Sequence, residues 1–127
     1  MRKIITNNGI FEFIDLCNLH LTVLPDLSDV EVYGDFYCSV NNLINLTGAP
    51  HIVHGNFICV ESNLTSLAGA PHIVGDSFFC HGNNLTSLKG IPKKIGGNFV
   101  ISHTLQSIFS RDYIHSLSEI SGSVKYM

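Results

Sequence analysis

The chain is short of charge. Only 13% of its 127 residues are Asp, Glu, Lys or Arg, about half the usual share of a globular protein. With 45% apolar residues it is no disordered chain, so Asn, Ser, Thr, His and Gly must carry its surface. The basic residues form no cluster and the net charge is −3. That balance argues against a protein held to nucleic acid through phosphate contacts. No run of 18 apolar residues occurs, so no membrane-spanning helix is expected. The start, MRKIITNNGIFEF, is basic but has no apolar stretch before Asn7 and Asn8. No secretory leader is read there, and a cytoplasmic location is expected.

Other absences narrow the chemistry. Cys17, Cys38, Cys59 and Cys80 form no CxxC pair, so a zinc ribbon has no support in the spacing, and reduced thiols are expected. No GxSxG, HExxH or phosphate-loop motif occurs. Seven histidines are present, yet His51 and His72 occupy one repeat position, followed there by Lys93. A catalytic site needs dissimilar groups converging, whereas a repeat spreads like groups along a line. No catalysis, metal or cofactor is expected.

What the chain has is repetition. Phe36, Phe57, Phe78 and Phe99 stand 21 residues apart, as do Leu43, Leu64 and Leu85, and Leu46, Leu67 and Leu88. Gly48, Gly69 and Gly90 and Pro50, Pro71 and Pro92 keep the same period, and Cys38, Cys59 and Cys80 fall into it. The sequons at Asn45, Asn63 and Asn84 lie within the repeat units, and with no export signal read, no glycan is expected on them. One unit reads Phe-x-Cys-x-x-Asn/Ser-x-Leu-x-x-Leu, with Asn41, Ser62 and Asn83 in the polar slot. Upstream, Ile14, Leu16, Leu19, Leu21 and Leu24 fit the same offsets in a unit one residue longer, with Leu19 in the polar slot. Downstream, Phe99 and Ile101 open a unit one residue shorter, with Leu105 and Ile108 in the two later Leu roles.

This pattern resembles the leucine-rich repeat at its short end, and the tandem repeats of small bacterial and bacteriophage proteins of that kind. The resemblance covers roughly residues 14–109. It implies a mainly β, right-handed solenoid of about five coils with a parallel sheet, in a family that mostly supplies binding scaffolds. A phage origin would place the protein in host cytoplasm.

The physics of the unit leads the same way. A 21-residue unit cannot bury its apolar face alone, and stacking it on its neighbours builds a continuous core. Phe-x-Cys alternates as a short strand with both side chains inward. An amide just after the strand can bond the backbone of adjacent coils. Gly-Ala-Pro excludes a helical return path. One domain over 1–127 is expected, with caps at 1–13 and 110–127. KIIT and IFEF around Asn7-Asn8-Gly9 predict a β-hairpin. Ser110 predicts a helix N-cap, with Tyr113, Ile114, Leu117 and Ile120 on one helix face and Gly122 at its end.

Function belongs where the letters vary, on the outer face of the strands. The row between Phe and Cys is Tyr37, Ile58, Phe79 and Val100, an expected apolar stripe of the kind that marks interaction sites. Val60, Glu61, His81 and His103 flank it, with Asp35 before the first Phe. His81 and His103 near Glu61 on this face would make a pH-sensitive contact. Cys17 falls out of step with the other cysteines, on the exposed side. These residues are the candidate docking surface for a protein partner of unknown identity, with an inhibitor or adaptor as the sharpest version. Two alternatives stay open: self-association into a homodimer, and a small ligand or nucleic acid on the same face.

Overall fold

The computed structural model describes Thr6–Asn7 and residues 10–127. Strands β1 (Thr6–Asn7) and β2 (Ile10–Phe11) pair antiparallel, Thr6 opposite Phe11. The expected hairpin is thus present as a strand pair, while its Asn8-Gly9 turn lies outside the described residues.

Each coil then lays down two strands, and every later pairing is parallel. The first coil gives β3 (Ile14–Asp15) and β4 (Glu31–Val32), the second β5 (Phe36–Tyr37) and β6 (Ile52–Val53). The third gives β7 (Phe57–Ile58) and β8 (Ile73–Val74), the fourth β9 (Phe78–Phe79) and β10 (Lys94–Ile95). After β11 (Phe99–Ile101) come a 3₁₀ turn (His103–Leu105) and helix α1 (Arg111–Leu117), then β12 (Glu119–Ile120) and β13 (Val124–Tyr126). The chain is a parallel β-solenoid of about five turns, each about 21 residues long. No helix among the described residues is long and apolar enough to cross a membrane.

The solenoid has two parallel sheets. One is ordered β3-β5-β7-β9-β11-β13; the other continues from the hairpin as β1-β2-β4-β6-β8-β10-β12. The second sheet is the extended return path. Its inward row Val32, Val53, Val74, Ile95 and Ile120 faces the same core as Phe36, Phe57, Phe78 and Phe99. The four Phe rings follow one another at 5.2, 5.0 and 5.6 Å between centroids. Both Leu rows, from Leu43 and Leu46 to Leu85 and Leu88, are buried on a third, irregular side.

Polar side chains hold the coils in register. Asn83 Oδ1 accepts from Ser62 N and Leu64 N at 3.1 Å each, while its Nδ2 donates to Cys59 O and Cys80 O at 2.9 and 3.0 Å. Asn41 does the same for the coil before it, and Ser62 fills the slot between them with its hydroxyl. At the turn that leaves the third side, Gly69 has φ +87°, and a Cβ there would lie 2.4 Å from Thr47 N. Only glycine both adopts that backbone and lets the coils approach so closely.

The C-terminal end departs from the sequence reading. Ser110 caps α1, its hydroxyl accepting from Tyr113 N at 3.1 Å. The helix stops at Leu117 and buries Ile114, while Tyr113 and Leu117 stay exposed. Ile120 sits on a strand, because it continues the inward row of the second sheet. Two strands therefore follow the helix. In the preceding turn, Ile108 is 64% exposed and Phe109 is buried in its place. The tight 3₁₀ turn shifts the phase by one residue.

Candidate functional site

The outer row of the six-stranded sheet runs in register from Asp15 through Tyr37, Ile58, Phe79 and Val100 to Lys125. Tyr37, Ile58 and Phe79 are half-buried and adjoin one another, so three of the four stripe residues form one apolar surface. Val100 does not join them. It is 1% exposed, a short side chain set in register between the longer Phe79 and Lys125.

Asp35 is occupied in a different way. Its Oδ1 accepts from Asn56 N at 2.7 Å and its Oδ2 from the Tyr37 hydroxyl at 2.9 Å. The first bond belongs to a second ladder along the stack. Asn56 Oδ1 accepts from Ser77 N, Ser77 Oγ from Asn98 N and Asn98 Oδ1 from Ser123 N, each at 2.9 Å. A hydrogen-bond acceptor at each of these positions was the only sequence signal for this ladder. Asp35 is thus a scaffold residue that also orients Tyr37. Its hydrogen bond, with burial second, raises the Tyr37 phenol above its ordinary value of 10.0.

The next rows complete the face. Val60 and His81 are half-buried, and Glu61 and His103 exposed. His81 packs edge-on to Phe79 at 6.4 Å, and its buried Nδ1 has no hydrogen-bond partner. His103 Nδ1 lies 3.3 Å from Met127 O. Among the described residues no ion pair joins Glu61 to either histidine.

A further row was not legible in the sequence. Asn18, Val40, Glu61 and Gly82 leave successive strands in the left-handed backbone region, at φ 56°, 56°, 54° and 72°. Asn and Gly adopt that region at little cost, whereas a β-branched residue there is an outlier. Val40 is nevertheless valine and 51% exposed, beside the Tyr37 strand.

Cys38, Cys59 and Cys80 are buried, and burial pushes the Cys38 and Cys80 thiols well up. Cys17 is half-buried on the outer side, its N–H donating to Asp15 Oδ1 at 3.0 Å. On the second sheet His54 Nε2 contacts Glu31 Oε2 at 2.5 Å, and the His54 ring lies 4.4 Å from that of Tyr33. Among the described residues no three His, Cys, Asp or Glu side chains are grouped to hold a metal ion.

Comparison of the chain with protein-family models, with curated proteins and with solved structures finds no match.

Proposed function

We propose that this solenoid is a protein-binding module that docks its partner on the outer face of the six-stranded sheet. The observation that carries the reading is the contiguous, half-exposed set Tyr37, Ile58 and Phe79, bordered by Val40 and Val60. Rigid strands present these side chains, so little order remains to be imposed on binding. Aromatic residues supply contact area at low entropy cost. Retention of a strained, exposed valine at position 40 fits a surface selected for contact rather than stability.

The partner chemistry follows from the surroundings. Asp15, Asp35 and Glu61 make the N-terminal part of the face acidic, whereas Lys125 lies at its far end. The fitting partner is a protein surface with an apolar centre and a basic residue toward the N-terminal coils. The resemblance to short phage and bacterial repeats makes an inhibitor or adaptor the sharper form of this reading, acting on a host or defence protein.

The test is paired capture. Wild type and a Tyr37→Ser, Phe79→Ser double variant, matched by circular dichroism, are used as bait in a cell extract, with Asn63→Lys on the third side as a control. The expected result is a protein retained by wild type and the control and lost by the double variant, followed by direct binding of that purified protein. Equal retention by all three baits removes the sheet face from consideration.

A further inference from the structure

Three carboxylates stand on the outer face, and two of them are committed to the scaffold. Asp15 Oδ1 accepts from Cys17 N at 3.0 Å, and Asp35 accepts from Asn56 N and the Tyr37 hydroxyl. The third, Glu61, is exposed, and among the described residues its carboxylate has no hydrogen-bond or ion-pair partner. Its backbone is left-handed, at φ 54°. Asn18 and Gly82 meet that demand at the same turn with little strain, whereas glutamate is not suited to it.

Gly82 opens a gap beside this carboxylate. Asn18, Val40 and Glu61 each send a side chain out from the turn, and Gly82 sends none. The row therefore has a notch one side chain wide in the fourth coil. Gly82 N donates to Ser102 Oγ at 2.8 Å, so the coil that bears the exposed His103 bounds the notch on its far side. On its near side the stem of Glu61 leans over the glycine, where a Cβ would lie 3.0 Å from Glu61 Cγ. That lean carries the carboxylate along the stack, toward the gap. His81, half-buried and edge-on to Phe79 at 6.4 Å, joins the notch to the apolar stripe.

We infer that this notch is the anchor site for an arginine side chain of the docked protein. The inference rests on the outer face being the docking surface, and it names the feature of the partner that the face selects. A guanidinium is flat and carries paired N–H donors that match a carboxylate. It lies over Gly82, where no Cβ obstructs it, takes the charge of Glu61, and stacks beside the His81 and Phe79 rings. Lysine brings only a point charge and gains nothing from the flat floor. The residues next to the arginine are apolar, to cover Ile58 and Val60.

A displayed library of random short peptides, panned against the immobilised full chain, reads this site. Wild type is expected to enrich peptides that place an arginine beside apolar residues. A synthetic copy of the strongest binder then serves as the quantitative probe. Its arginine replaced by citrulline, an uncharged isostere, or Glu61→Gln in the protein, is expected to weaken binding at least about fivefold. Both changes together are expected to weaken it little further, because they remove one shared contact. Gly82→Asn fills the notch with the residue that Asn18 supplies at the same turn. It is expected to give a similar loss with an unchanged circular dichroism spectrum. The Tyr37→Ser, Phe79→Ser variant separates this inference from the reading beneath it. Binders that need Tyr37 and Phe79 but lack arginine, or that ignore Glu61→Gln or Gly82→Asn, overturn the arginine site and leave the docking face standing. A library with no binder to wild type, or with binders that survive the double variant, removes the face and the notch with it.

Discussion

Asn41 and Leu19 fill the same slot in consecutive coils, and Asn41 Oδ1 accepts the backbone N–H of Leu19 at 3.1 Å. The amide serves the coil before its own. The first coil has no such predecessor on that side among the described residues, and there the slot is apolar. Asn83→Leu in the fourth coil is a sharp test. It strands Ser62 N, Leu64 N, Cys59 O and Cys80 O together. Unpaired buried groups cost about 1–3 kcal/mol each, so a loss of at least about 3 kcal/mol is expected in urea unfolding.

Core packing makes a separate demand. Leu64 is fully buried on the third side between the Leu43 and Leu85 coils. Leu64→Ala should cost about 2–5 kcal/mol, since coils held by two ladders have little freedom to collapse onto the cavity. An unchanged melting temperature would contradict the inward placement.

Two backbone positions should respond in opposite directions. Gly69→Ala places a side chain at φ +87° and 2.4 Å from Thr47 N, and is expected to lower stability by about 2 kcal/mol or more. Val40→Asn copies the residue that Asn18 supplies at the same turn. It should raise stability by about 1 kcal/mol by relieving the left-handed valine. If Val40 belongs to the docking face, the same stabilised variant will bind the partner more weakly.

Thiol chemistry should separate the cysteines by position. Burial disfavours the thiolates of Cys38 and Cys80, and the thiolate is the reactive form. With a disulfide reagent at neutral pH, Cys17 should react well before the other three in the native protein. All four should react once the chain is unfolded, and peptide mapping assigns the fast site.

Alkaline titration reports the Asp35–Tyr37 bond. The folded state favours the protonated Tyr37 phenol, so unfolded chains lose that proton first as pH rises. The stabilisation is complete below the ordinary tyrosine value of 10.0 and disappears as pH climbs through the raised native one. Asp35→Asn keeps an acceptor for Asn56 N but removes the carboxylate. Tyr37 should then titrate at lower pH by NMR, and the alkaline loss of stability should narrow.

The period of Phe, Cys, Leu, Gly and Pro determined the solenoid, its parallel strands and its inward rows. A side chain recurring every 21 residues in stacked coils must meet its own copies. It also located the polar slot, while the Ser110 cap was legible from the apolar spacing after it, because both are local chemistry. Only the tertiary structure decided that the Gly-Ala-Pro return path leads into a second sheet, since pairing with neighbouring coils, not local sequence, makes a strand there. It also withdrew Val100 from the stripe, bound Asp35 into a ladder and set Val40 in a left-handed turn. Those outcomes depend on the side chains one coil above and below, and a single unit's sequence does not contain them.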